Sequence, residues 1–108
     1  MTFTIEYYQT EDGRLPFQEW LDELDQVSRI RLISRIRRLV HGNFGDWKSI
    51  KGVNGLEELR ESFGLGYRGY YSRIDGKIVL LLAGSSKRDQ ARVIAKAASY
   101  LEDYRKNN

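Results

Sequence analysis

The sequence predicts an α+β fold with a mainly antiparallel, twisted sheet and the element order β-α-α-β-β-β-α. Apolar residues recur at helical spacing in two segments before residue 42 and in one segment after residue 87. Between these regions, residues 56–83 have the patterns of three successive strands. Because such strands pair most readily as antiparallel neighbours, we expect the sheet to pack against an N-terminal αα-hairpin and a C-terminal helix.

The N-terminal segment is predicted to form one strand and two helices. Apolar and polar residues alternate from Phe3 to Tyr8, as in a half-buried strand. Pro16 suits the first turn of a helix. The apolar stripe of this first helix consists of Phe17, Trp20, Leu21 and Leu24. The second helix is capped by Asp25 or Ser28, ends near Gly42 and has the predicted stripe Val27, Ile30, Ile33, Ile36 and Val40.

The C-terminal segment is predicted to contain a loop, three strands and a helix. The loop covers residues 43–55, and the strands cover Leu56–Ser62, Gly66–Ile74 and Lys77–Ala83. Asp75-Gly76 is a strong hairpin signal between the last two strands. Since the third strand lacks alternation, it should be central and covered on both faces. A capping box over Ser86–Asp89 is expected to begin the last helix, whose apolar face is Ala91, Ile94, Ala95, Ala98, Leu101 and Tyr104.

Length and composition limit the kinds of protein that this chain can be. With 108 residues we expect a single domain over residues 1–108. The chain has no cysteine, which excludes disulfides and thiolate metal sites, and the cytoplasm is the simplest location. With His41 as the only histidine, no metal or other cofactor is expected. Residues 1–9 are too short and too polar for a signal peptide, and no apolar run approaches a membrane span.

Charge is distributed unevenly along the chain, whose net charge is +3. The segment Leu15–Asp25 has four acids and no base, and Arg29–Arg38 has five arginines and no acid. One interpretation is a basic face that binds a polyanion, and another is two solvated helix faces that attract each other. On the first interpretation the second helix supplies the RNA-binding residues Arg31, Arg35 and Arg38.

Basic residues near the predicted sheet are candidates for binding a phosphodiester. If the strands pair with Arg60 and Arg68 on the same side, two guanidiniums converge, and Lys87 joins them from the start of the last helix. Guanidiniums bind phosphate oxygens bidentately and stay charged at any working pH. Alternatively, these basic side chains pair with nearby acidic side chains such as Glu58. The remaining RNA-binding candidates are Lys48 and Lys51 in the loop, with Tyr70 and Tyr104 as rings that stack on bases.

Several segments, taken in order, resemble one protein family. The sequence is similar to the HigB-like, phage-derived addiction-module killer proteins of the RelE/ParE toxin superfamily. The resemblance is carried by the first-helix segment Trp20–Leu24, the glycine loop and "ELR" strand Gly52–Arg60, the "GYRGYY" strand Gly66–Tyr71, the apolar strand and helix start Ile78–Gln90, and the ending Ala97–Tyr104.

The resemblance implies a RelE-like fold and the toxin of a type II toxin–antitoxin system. It implies a metal-independent mRNA endoribonuclease, or mRNA interferase, that acts on translated mRNA at the ribosome, with Arg60, Arg68 and Lys87 as catalytic residues. It also implies a cognate antitoxin, for which a helix-turn-helix protein is the family-level expectation. The sequence departs from the family at Gly69, where relatives have a larger residue, and it has no C-terminal histidine. The identity of the general base therefore stays open.

Two other functions remain compatible with the sequence. ParE-like members of the superfamily inhibit DNA gyrase and have no nuclease site, and the set of Arg60, Arg68 and Lys87 argues against this alternative. A catalytically inactive relative that only binds its antitoxin is the other alternative. A shared fold does not by itself establish an activity.

Overall fold

A computed structural model describes residues 2–108, and it confirms the predicted α+β class. A single 3₁₀ turn, Lys87–Asp89, precedes the last helix. Within the described residues no helix is both long enough and apolar enough to cross a membrane. In chain order the elements are β1 (Thr4–Tyr7), α1 (Pro16–Glu23), α2 (Gln26–Leu39), β2 (Trp47–Ser49), β3 (Glu57–Arg60), β4 (Tyr67–Ile74), β5 (Ile78–Ser86) and α3 (Gln90–Asn107).

The five strands form one sheet in the order β1-β5-β4-β3-β2. The β1–β5 pair is parallel and the other three pairs are antiparallel, so the sheet is mainly antiparallel as predicted. The apolar strand β5 lies inside the sheet, between β1 and β4. Asp75 and Gly76 form the turn from β4 to β5 with φ of 55° and 65°, as a tight hairpin turn with two left-handed central residues requires.

Two apolar layers cover the sheet, one on each face. On the first face, α1 and α2 pack through Phe17, Leu21 and Leu32 against the strands, and we call this the α1/α2 face. On the second face, α3 packs through Val93, Ala97 and Leu101, and we call this the α3 face. Residues of β4 alternate between the faces, since Tyr67 and Tyr71 belong to the first layer and Tyr70 to the second.

The predicted apolar stripe of α2 was wrong in its first half, whereas its members Ile36, which is buried, and Ile33, which packs against the core, are confirmed. Val27 and Ile30 are 63% and 56% exposed. The buried face of α2 includes an arginine and a serine. A search for apolar periodicity assigns such residues to the solvent-exposed face, so the buried face was misidentified. The helix begins as one of the two predicted caps implied, since Asp25 accepts a hydrogen bond from the Ser28 amide at 3.0 Å. The residues of α2 that are buried are Ser28, Leu32, Arg35, Ile36 and Leu39.

Three further expectations were wrong in detail. The predicted loop contains the short strand β2, which pairs with β3 at the edge of the sheet. The capping box is absent: the Ser86 side chain caps no backbone amide, and its hydroxyl lies 3.4 Å from Asp89 Oδ2. Of the face predicted for α3, Leu101 is buried, whereas Ala91 and Ala95 are exposed. The buried residues of α3 are Val93, Ala97 and Leu101, and the predicted residues Ile94 and Tyr104 pack beside them.

Candidate nucleic-acid interface

Arg60 and Arg68 lie directly opposite each other on β3 and β4. Opposed residues of an antiparallel pair project from the same face of the sheet. Arg68 is also opposite Ser85 of β5, and the next pair along, Glu58 and Tyr70, projects into the α3 layer. The two arginines therefore lie side by side on the α3 face, beyond the end of its apolar layer.

The guanidinium of Arg68 is held by the turn between β3 and β4. Its Nη1 donates to the carbonyls of Glu61 at 3.3 Å, Gly66 at 3.3 Å and Tyr67 at 3.1 Å. Its Nε is buried and has no hydrogen-bond partner among residues 2–108. A phosphate oxygen pair binds across the Nε–Nη2 side of a guanidinium. Arg68 is therefore fixed through Nη1, and its Nε is unpaired although it is shielded from solvent.

Arg60 is paired to an acid at the surface. Its Nε and Nη2 lie 3.3 and 3.1 Å from Oδ1 of Asp46. Both side chains are more than a third exposed, and exposed ion pairs contribute little free energy. A phosphate group can therefore take the place of the Asp46 carboxylate on Arg60 at small cost.

Lys87 lies near the two arginines because its 3₁₀ turn approaches the turn between β3 and β4. Gly66 has a φ of 72°, and a Cβ built there would lie 3.4 Å from Lys87 Cβ and 3.9 Å from Arg68 Nη1. The Lys87 amide lies 3.4 Å from the Leu65 carbonyl, which ties the 3₁₀ turn to the β3–β4 turn. The structure thus brings Arg60, Arg68 and the exposed Lys87 together, and we call these three residues the cationic cluster.

A buried polar group lies beside the cationic cluster. Lys48 of β2 is opposite Glu58, and its Nζ lies 3.8 Å from Glu58 Oε1. The Tyr70 hydroxyl lies 3.0 Å from Ser85 Oγ. Burial raises the pKa of Tyr70, and the negative charge of Glu58 adds to this effect. Because the Tyr70 ring has no exposed surface, the expectation that it stacks on a base does not fit this conformation.

Arg35 has a structural role, contrary to the expectation that it faces RNA. Its guanidinium is buried, where it pairs with Glu61 and donates to the carbonyls of Arg60, Phe44 and Asp46. Every donor that it uses is directed at the protein, so none is presented to a phosphate. This side chain joins α2 to the segment before β2 and to the end of β3.

The structure leaves two other predicted RNA-binding residues away from the cationic cluster. Lys51 follows β2, at the end of β3 opposite to Arg60. Tyr104 lies about 21 Å along α3 from Gln90, at the usual helical rise. Partial burial raises the pKa of Tyr104, and the charges of Glu6 and Asp75 raise it further. Those acids make its surroundings unfavourable for RNA.

Arg31 and Arg38 of α2 are exposed, on the other side of the sheet from the cationic cluster. The Arg31 guanidinium lies 4.9 Å from the centre of the Phe63 ring. Phe63 belongs to the β3–β4 turn and packs against the layer on the α1/α2 face, so Arg31 lies near this turn but on the face opposite to the cluster. Arg38 lies two helical turns further along α2.

Asp46 and Gln90 were not identified from the sequence. Asp46 meets Arg60 only because β2 brings its segment to the edge of the sheet, and Gln90 meets Glu58 only through tertiary packing. Neither has a distinguishing local pattern in a single sequence. Among the described residues, no group of three or more His, Cys, Asp or Glu side chains is arranged to hold a metal ion.

Comparisons with known proteins identify a relative in sequence and a similar fold among solved structures. No protein-family model matches the chain. A Haemophilus influenzae protein described as uncharacterized is 40% identical over 84 residues, which cover 77% of this chain and 83% of the relative. The fold is similar to that of a double arginine mutant of the E. coli toxin RelE in the free state, with a TM-score of 0.68 and 17% sequence identity. That match covers 92% of this chain and 97% of RelE.

At this level of identity the likeness to RelE shows the fold, and it confirms the predicted RelE-like architecture. The likeness to the Haemophilus influenzae protein is close enough to establish common descent. The chain therefore belongs to the same protein family as that Haemophilus influenzae relative, and it has a RelE-like fold.

Proposed function

We propose that this chain is the toxin of a toxin–antitoxin system and that it acts as a metal-independent endoribonuclease on translated mRNA at the ribosome. The observation that carries the proposal is the guanidinium of Arg68, which is held through Nη1 while its Nε has no hydrogen-bond partner among the described residues. It lies opposite Arg60 and next to Lys87. Such a cluster suits a group whose negative charge increases during the reaction.

RNA supplies its own nucleophile, which suits a site built from cations. The 2′-oxygen attacks the neighbouring phosphorus and passes its proton to a water molecule, and the bond from phosphorus to the 5′-oxygen breaks. The products are a 2′,3′-cyclic phosphate and a 5′-hydroxyl. Arg60 and Arg68 stabilise the added charge on the phosphoryl oxygens, and Lys87 donates a proton to the leaving 5′-oxygen.

Exposed basic side chains around the cationic cluster would hold the rest of the RNA strand. Lys48 lies beside the cluster on the α3 face, and Arg31 lies near the β3–β4 turn on the α1/α2 face, where a strand that passes around the turn would reach it. Arg38 would extend this contact along α2. Phosphate contacts of this kind fix the position of a strand without selecting its sequence. In this proposal the partners are mRNA, the ribosome and a cognate antitoxin that prevents their contact with the cluster.

The experiment that tests the proposal is brief induction of the wild-type chain and of Arg68→Ala in bacteria without antitoxin, followed by mapping of new 5′ ends on abundant transcripts. We expect translation-dependent cuts with the wild type. We expect Arg68→Ala to reduce cutting by roughly 10²- to 10³-fold, which is typical when one charge-stabilising donor is removed. The variant should still unfold cooperatively, because the backbone pairing of β3 with β4 does not use the Arg68 side chain, and thermal unfolding checks this.

The matched control is Lys77→Ala, which removes a positive charge from the distant hairpin between β4 and β5. It should cut like the wild type. Growth arrest with intact mRNA and nicked plasmid would instead favour a gyrase inhibitor. An absence of growth arrest with the wild type would leave an inactive antitoxin-binding protein.

A further inference from the structure

The carboxylate of Glu58 is buried and incompletely paired. The residue lies in the middle of β3 with 0% of its surface exposed. Its Oε2 accepts a hydrogen bond from Gln90 Nε2 at 3.4 Å, and its Oε1 has no hydrogen-bond partner among the described residues. A buried carboxylate is costly unless it is paired and hydrogen-bonded. An apolar residue would stabilise this position better, so the charge requires an explanation other than stability.

The cation nearest to this carboxylate belongs to the edge of the sheet. Lys48 Nζ lies 3.8 Å from Glu58 Oε1, and the side chain of Lys48 is 54% exposed. The ammonium group of Lys48 is therefore in contact with solvent and at the same time lies close to the buried carboxylate of Glu58. One residue pair further along the same face are Arg60 and Arg68. The position of Lys48 relative to the cationic cluster thus depends on Glu58.

The second contact of Glu58 is with the last helix. Gln90 is the first residue of α3 and follows directly after the turn that contains Lys87. The two oxygens of one carboxylate therefore connect β2 with the beginning of α3. They do so underneath the surface on which Arg68 is held.

We propose that Glu58 is a positioning residue, whose buried carboxylate fixes the ammonium of Lys48 beside the cationic cluster and orients the start of α3 through Gln90. This inference rests on the proposed function, because the ligand of the fixed ammonium is the phosphate next to the scissile one. Glu58 itself does not touch RNA. A lysine that is already ordered loses less side-chain entropy when it binds phosphate than a freely rotating one does.

A double-mutant cycle between Glu58→Gln and Lys48→Met separates this role from a purely structural one. Glutamine preserves the shape and the contact with Gln90 but removes the charge, and methionine preserves the stem of the lysine. We expect each variant to reduce kcat/KM for RNA cleavage about tenfold and the double variant to reduce it no further, which is the signature of coupled residues. Lys48→Arg should restore most of the activity of Lys48→Met.

The matched control is Glu57→Gln, which removes the neighbouring carboxylate of β3. Glu57 pairs with Arg73 at 2.8 Å and projects from the other face. It should leave cleavage unchanged and show no coupling to Lys48. If the losses from Glu58→Gln and Lys48→Met multiply, or if Lys48→Met cleaves like the wild type, the positioning role is wrong. The second result needs only a substitution at an exposed site, so it does not depend on whether Glu58→Gln folds.

A measurement without RNA separates this inference from the proposed function. In NMR spectra of the free protein, the Lys48 side-chain amine should be ordered in the wild type and in Glu57→Gln but mobile in Glu58→Gln. If Lys48 is equally mobile in all three proteins, Glu58 does not position it. If Lys48 is ordered as expected but the wild type cleaves no RNA, the proposed function fails while the positioning of Lys48 by Glu58 stands.

Discussion

Gly84 and Gly69 show at the scale of single residues how closely α1 packs on the sheet. They are opposite each other on β5 and β4 and face the same helix. A Cβ built at Gly84 would overlap the ring of Trp20, whereas one at Gly69 would lie 3.4 and 3.5 Å from Phe17 Cε2 and Cζ, an ordinary contact. Two glycines with the same strand environment therefore differ in how much space they have.

We expect Gly84→Ala to lower the free energy of unfolding by about 3 kcal/mol, because Trp20 must leave its position on the sheet. Gly69→Ala should change it by less than about 1 kcal/mol, because the lost space is offset by the lower entropy of the unfolded chain. Urea unfolding of both variants checks this. Equal effects of the two substitutions would show that α1 does not hold Trp20 against Gly84.

The candidate site was predictable from the sequence only in part, and the arginines show why. Alternation along β3 and β4 was enough to place Arg60 and Arg68 on faces of the sheet, and the register then made them neighbours. Nothing local distinguishes the buried Arg35 from the exposed Arg38, since both lie in the same basic helix. Burial of a charged side chain depends on partners distant in sequence, here Glu61 and the carbonyl of Phe44.

At the scale of elements, the prediction was correct for helices and strands that depend on residues close together in the sequence. It was wrong for those that depend on residues far apart in the sequence. The β4–β5 hairpin was predicted correctly because Asp75 and Gly76 fix its turn by their own backbone preferences. The first helix begins at Pro16 for a similar local reason. The short strand β2 was missed because it exists only through pairing with β3. The stripe of α2 was misassigned because two polar residues, Ser28 and Arg35, are buried.

The corrected orientation of α2 gives a test of this element. Leu32→Ala should lower the free energy of unfolding by about 2–5 kcal/mol, because the side chain is buried between α2 and the sheet. Ile30→Ala removes an exposed side chain from the same helix and should change it by less than about 0.5 kcal/mol. Thermal or urea unfolding measures both. A larger effect at Ile30 than at Leu32 would restore the orientation predicted from the sequence.

At the scale of the whole molecule, the cationic cluster depends on three separate connections. The β3–β4 register pairs the arginines, the β3–β4 turn fixes Arg68, and the 3₁₀ turn before α3 brings in Lys87. The first two connections lie within the β3–β4 hairpin, whereas the third joins residues that are distant in the sequence. The sequence identified the candidate basic side chains. Only the tertiary structure distinguishes those in the cluster from distant ones such as Lys51.

The tyrosines link the folding of the whole molecule to alkaline pH. Burial is the main cause of a raised pKa at five of them, which lie on both faces of the sheet: Tyr7, Tyr8, Tyr70, Tyr71 and Tyr104. A raised pKa means that the folded protein holds the phenolic proton more firmly than the unfolded chain does. The resulting stability is complete below the ordinary tyrosine value of 10.0 and is lost progressively as the pH rises above it.

We therefore expect alkaline unfolding to be cooperative, with these five tyrosines ionising in the same transition in which the helices melt. Phenolate absorbance and far-ultraviolet circular dichroism, followed together from neutral pH upwards, measure the two processes. Tyr8→Phe removes one of the linked protons together with the 2.5 Å hydrogen bond to Asp103, so its unfolding should release one phenolic proton fewer. Reversible ionisation of all five near pH 10.0, with the circular dichroism unchanged, would mean that both apolar layers admit solvent.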